Sequence, residues 1–248
     1  MPSSAGATVD QLFAEVLKAG ESIPALREVL RRLAPDDLLL LGVLRRAVPL
    51  RLLEFLAGTK PWSENARLLA GIALNPRVPR PLGMRLVANL YWRDQAELAG
   101  SLRVSAAIRL RAEDLLKQRL PDLRLGERIA LAKIAIPPIL SLLLADPDPR
   151  VAEACLISPR LRQPDLLRAL KSNTVPGAVI EAVSKSAHWR EQYAVRLALV
   201  GQSRTPVAIA LGQLRHLTRG DLLSLADDKG VRTLLRLAAE RLAEPRRN

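Results

Sequence analysis

Two histidines, His188 and His216, and one cysteine, Cys155, are the chain's whole stock of imidazole and thiol groups. Neither histidine stands in an H-E-x-x-H or other paired-ligand spacing, and one cysteine builds neither a disulfide framework nor a cysteine-based zinc site. No metal and no cofactor is expected. The 13 glycines are scattered and no G-x-x-x-x-G-K-[ST] run occurs, so the backbone cradle used for nucleotide hydrolysis is missing as well. Asp94 and Asp221 invite an acid–base reading. Thr218-Arg219-Gly220-Asp221, however, has the form of a helix start, with the acid in the first turn where the dipole favours negative charge. Glu113 and Glu240 follow Arg109 and Arg236 at the i,i+4 spacing of an exposed helix pair. These acids read as scaffold, and the chain is not expected to be an enzyme.

Binding chemistry is better represented. Trp92, in Leu90-Tyr91-Trp92-Arg93-Asp94, together with His188, Trp189, Arg190 and Tyr193, forms the candidate set for recognising a partner, because large aromatic rings and arginine dominate binding hot spots. For Trp62 and Trp189 the competing reading is a hydrophobic staple between a turn and its helix. For Trp92 it is burial between packed helices. Thirty-eight basic residues against 25 acidic ones give a formal charge of +13. Arg77, Arg160 and Arg204 each follow a turn residue and are the candidates for a phosphate-binding edge. Seven aromatic residues in 248 (two Phe, two Tyr, three Trp) argue against single-strand binding by base stacking.

The elements that would position these side chains are helical. Leu and Ala dominate the 49% apolar content and are good helix formers and poor strand markers. Sliding the chain by 127 residues aligns Leu39–Leu115 with Leu166–Leu242 without a gap. Matched pairs include Pro49/Pro176, Trp62/Trp189, Glu64/Glu191, Arg77/Arg204, Pro79/Pro206 and Asp94/Asp221. Roughly a quarter of the aligned positions agree, where this composition would give about a tenth by chance. Prolines at these turns fix φ near its helical value and start short helices. Runs of about 8–14 residues cannot stand alone and must bury their apolar faces on one another.

Asp146-Pro147-Asp148-Pro149-Arg150-Val151-Ala152-Glu153-Ala154, followed by Ser158-Pro159-Arg160-Leu161, resembles the leucine-rich repeat variant, a family of bacterial helical repeats akin to HEAT repeats. Ala73-Leu74-Asn75-Pro76-Arg77-Val78-Pro79 looks like a second instance of its Asn-Pro turn. The resemblance implies a solenoid of α and short 3₁₀ segments. Some members carry a cysteine-ligated cluster, for which Cys155 alone supplies no ligand set.

The expected fold is therefore all-α, a right-handed HEAT-like α-solenoid with an internal duplication. It would form one domain over 1–248: capping helices at 1–38, a first duplicated half at 39–116, central repeats at 117–165, a second half at 166–243 and a flexible tail at 244–248. Leu38–Leu56 is the most apolar stretch, but Arg45, Arg46, Pro49 and Arg51 make it a buried helix pair instead of a membrane anchor. The N-terminal residues lack a secretory signal pattern, which with the single cysteine points to the cytoplasm. The expected function is a non-enzymatic scaffold binding a protein partner. The alternative is a nucleic-acid-binding solenoid with an arginine-lined face, or, more remotely, a HEAT-like DNA glycosylase. No membrane and no small-molecule substrate is expected.

Overall fold

The computed structural model describes residues 8–244. Among them the chain is all-α, with no strand. It separates into two compact units, Met1–Pro121 and Asp122–Asn248. The N-terminal signal reading over residues 1–7 and the flexible-tail reading beyond Glu244 lie outside the described residues.

Unit 1 contains α1 (Val9–Ala19), α2 (Ile23–Leu33), α3 (Asp37–Leu44), α4 (Leu50–Gly58), a 3₁₀ turn (Trp62–Glu64), α5 (Ala66–Ala73), α6 (Arg80–Asn89), α7 (Trp92–Gly100) and α8 (Ala106–Arg119). A second 3₁₀ turn, Leu120–Asp122, follows. Unit 2 contains α9 (Leu125–Ile134), α10 (Pro137–Leu143), α11 (Pro149–Leu156), α12 (Gln163–Lys171), α13 (Gly177–Lys185), α14 (Ala187–Arg190), α15 (Tyr193–Gly201), α16 (Val207–Leu214), α17 (Arg219–Asp227) and α18 (Thr233–Ala243).

Helix boundaries repeat at the spacing read from the sequence. Both ends of α4 and α7 reappear in α13 and α17 127 residues on, and α3, α5 and α6 fall within two residues of α12, α15 and α16. Partner choice repeats as well. In unit 1, α3 packs on α5, α5 on α6, α6 on α8 and α7 on α8; in unit 2, α12 packs on α15, α15 on α16, α16 on α18 and α17 on α18. The recurrence extends before Leu39, because α10 and α11 stand where α1 and α2 recur and make the matching contacts, α1 with α3 and α10 with α12.

Local chemistry explains why short helices start where they do. Polar caps open several of them: Thr8 and Gln11 close a capping box on α1, Asp36 accepts from the Leu39 amide at 2.8 Å, and Asn65 accepts from Arg67 and Leu68. The matched prolines Pro49, Pro79, Pro176 and Pro206 sit at the N-cap of α4, α6, α13 and α16, one step earlier than the first-turn position expected. There the chain is still extended, and proline's fixed φ suits the entry. The cores are aliphatic: Leu52, Leu56, Leu68, Ile72 and Ile108 are fully buried in unit 1, as are Leu131, Val151, Leu166, Val195 and Leu199 in unit 2. No helix among the described residues is long and apolar enough to cross a membrane.

Candidate groove in each helical unit

The site begins with a structural device. A helix leaves its last carbonyls without intrahelical donors, and short helices leave proportionally more of them. At the end of α3, the fully buried Asn75 supplies the missing donors, its Nδ2 reaching Leu44 O at 2.8 Å and Arg46 O at 2.7 Å. Its Oδ1 accepts from the Arg77 amide at 2.9 Å. In unit 2, Gln202, 127 residues on, makes a similar clamp with carbonyls one residue earlier in the repeat. Its Nε2 donates to Leu170 O and to Ser172 O, and its Oε1 accepts from the Arg204 amide.

Beside each clamp lies an open groove. In unit 1 it has a volume of about 430 Å³, with Leu41, Leu44, Ala70, Gly71 and Leu74 forming an apolar floor. Its polar lining is Arg45, Arg67, Asp94, Glu97, Ser101 and Arg103. In unit 2 the groove measures about 510 Å³ and uses the same places in the repeat: Lys171, Ala194, Leu197, Ala198, Gly201 and Gly230 answer to Leu44, Arg67, Ala70, Gly71, Leu74 and Arg103. The floors agree at Ala70/Leu197, Gly71/Ala198 and Leu74/Gly201 but not at Leu44/Lys171, and the rims differ throughout. Of the unit 1 charges, Arg67 is replaced by Ala194 and Arg103 by Gly230, while Arg45 and Glu97 have Ser172 and Ser224 at their places.

The matched acids show the same divergence. Asp94 has its carboxyl held above the ordinary aspartate range, first by burial and then by the neighbouring Glu97. Asp221 is held below that range by hydrogen bonds from the Tyr193 hydroxyl and the Thr218 hydroxyl. Thr218 is the N-cap of α17, as the sequence predicted. Tyr91 stands at its counterpart in unit 1, and Ala66 at that of Tyr193, so this hydroxyl pair has no equivalent in unit 1.

The residues expected to recognise a partner divide between the units. Trp92 belongs to unit 1, and His188, Trp189, Arg190 and Tyr193 to unit 2. Trp92 and Trp189 are each only 4% exposed, which corrects their reading as surface anchors. The Trp189 indole donates to Leu156 O at 2.8 Å, so both its ring and its polar edge serve the interior. His188 is exposed and sets its ring edgewise against Trp189, with centroids 4.8 Å apart. Arg190 is exposed, and its carbonyl accepts from Arg196 Nε. Trp62 is half-buried and packs on Phe55 of the preceding helix α4, with ring centroids 5.8 Å apart.

The phosphate-binding candidates are partly committed to the fold. Arg160 donates to Ile134 O at the end of α9, and Arg204 to Val175 O at 2.9 Å. Arg77 lies 3.7 Å from Glu21, which also accepts from the Leu50 and Arg51 amides. Glu113 pairs with Lys117 at 2.6 Å instead of with Arg109. Cys155 is buried, and its thiol is pushed up to about 12 by desolvation and by Asp146, far from a reactive thiolate.

Sequence reasoning named none of Arg45, Arg67, Glu97 or Arg103 as a site residue. The signal was present: these are positions where two aligned copies exchange a charge for a small residue, at Arg67/Ala194 and Arg103/Gly230. Compared with known protein families, curated proteins and solved structures, the chain matches none.

Proposed function

We propose that the protein is a non-enzymatic helical-repeat scaffold, a HEAT-like α-solenoid, that binds a protein partner through the groove carried by each unit. The observation that supports this is the recurrence of one groove at one place in the repeat, with a floor kept apolar except at Leu44/Lys171 and an exchanged rim. Packing demands alone account for the floor. They do not call for Arg67, whose place Ala194 takes in the other copy; Arg103 closes the end of α3 through Arg45 O, and Gln202 takes the matching carbonyl, Ser172 O, in unit 2. A changed rim over a mostly kept floor is what recognition of different side chains produces.

The test is site-directed photocrosslinking. A photoreactive phenylalanine analogue is placed at position 67, at position 194 or at the exposed control position Leu110, and the full chain is exposed to extract of the cells that make it. The reading predicts a discrete protein adduct from position 67 or 194 and not from 110, lost when the groove lining is exchanged between copies. Equal labelling from all three positions overturns it. Adducts made of nucleic acid overturn it in favour of the nucleic-acid alternative.

A further inference from the structure

The two grooves differ most in charge. In unit 1, α7 contributes Asp94 and Glu97, while the ends of α3 and α5 and the turn after α7 contribute Arg45, Arg67 and Arg103. Arg103 is held in place by donating from one guanidinium nitrogen to Arg45 O, which leaves most of its donors for other acceptors. None of Asp94, Glu97, Arg45 or Arg67 makes an ion pair or a side-chain hydrogen bond among the described residues. Charges of both signs thus line one cavity with no ion pair among them, although Arg93 acts on Asp94 through space.

We infer that the unit 1 groove takes an extended peptide segment of the partner in which a basic and an acidic side chain flank apolar ones. The basic side chain would lie against Asp94 and Glu97, the acidic one against Arg45, Arg67 and Arg103, and the apolar residues on the floor of Leu41, Leu44 and Ala70. The volume falls within the range of about 300–1,000 Å³ typical of binding clefts. Arginine's planar fork suits a carboxylate acceptor. Burial of Asp94 beside another acid makes its carboxylate a favourable place for a ligand cation. Unit 2 serves as the internal control: at the places of Arg45, Arg67, Glu97 and Arg103 it has Ser172, Ala194, Ser224 and Gly230, the charge lining its groove is Lys171, and Asp221, at the place of Asp94, is occupied by Tyr193 and Thr218 outside that lining. The framework therefore does not require Arg45, Arg67 or Glu97, while Arg103 also closes the end of α3.

This inference rests on the scaffold reading and names the chemistry of the segment bound. The probes are fluorescent octapeptides with the cores Lys-Leu-Leu-Glu, Glu-Leu-Leu-Lys and Gln-Leu-Leu-Gln, titrated into the full chain and followed by anisotropy. One mixed-charge peptide is expected to bind at least about tenfold more tightly than the neutral one, equivalent to about 1.4 kcal/mol. Arg67→Ala with Arg103→Gly, and separately Asp94→Asn with Glu97→Ser, should bring it to the neutral level with an unchanged helical circular dichroism signal. Equal binding of all three peptides, or affinity indifferent to both double variants, overturns the charge assignment. If the neutral peptide still crosslinks at position 67, that failure leaves the scaffold reading standing. If no peptide binds and position 67 gives no adduct, both readings fall.

Discussion

Asp94 and Asp221 hold the same place in two copies of one helical unit and meet opposite surroundings. Asp94 is desolvated beside Glu97, so its folded-state pKa is raised and the folded state is disfavoured once the carboxyl ionises. That penalty is absent below the ordinary aspartate range and sets in as pH rises through the raised value. Asp221 accepts from Tyr193 and Thr218, so its pKa is lowered, and its stabilisation is present above the ordinary range and lost as pH falls through the lowered value. Asp94→Asn is accordingly expected to keep or raise the Tm at pH 7, and Asp221→Asn to lower it, both differences fading on acidification below about pH 4. Thermal melts at pH 7 and pH 3 check the two signs. The sequence made the pairing of these acids visible and assigned Asp221 its helix-start role. It did not reveal that Tyr193, 28 residues earlier, reaches the same carboxylate, because that contact exists only once α15 and α17 are folded.

At the scale of elements, short helices depend on what closes their ends. Prolines and Asx or hydroxyl caps open them, and these were readable because they act within a few residues of the helix they start. Their C-terminal ends were not readable. The donors that close them come from distant side chains, Asn75 for α3 and Gln202 for α12, each separated from its acceptors by about 30 residues. The two amides differ by one methylene, which also hid them from an identity-based alignment. Asn75→Ala and Gln202→Ala should each cost about 1–3 kcal/mol, because truncation leaves two helix-end carbonyls without their donor. Urea unfolding of each variant measures this, and a loss well under ~0.5 kcal/mol would show that water replaces the amide. The tryptophans teach the converse lesson. Trp62/Trp189 was a reliable marker of the repeat, while burial of Trp92 and Trp189 followed from tertiary packing that residue type alone does not reveal.

At the scale of the whole chain, the arginine excess acquires a structural reason. Many short helices mean many carbonyl ends, and arginine forks meet several of them: Arg119 donates to Leu90 O, Arg219 to Ala243 O, Arg236 to Ala226 O and Arg160 to Ile134 O. A guanidinium placed at a helix C-terminus is favoured by the dipole as well as by the hydrogen bond. Part of the +13 charge therefore serves the packing of the units, Arg103 at the end of α3 included, and the two copies also differ at Arg67, a groove arginine that meets no helix end. The all-α class and the 127-residue spacing were legible because both reside in local pattern. The groove was not, because it is assembled from the end of α3, the start of α5, one face of α7 and the turn beyond it. The most direct test of the scaffold account is hydrogen exchange of the full chain with and without the partner identified by crosslinking. The account predicts added protection on the segments lining the groove, α3, α5 and α7 in unit 1 or α12, α15 and α17 in unit 2. Protection that avoids those helices and falls instead on exposed arginine segments such as Arg85 and Arg190 would contradict it.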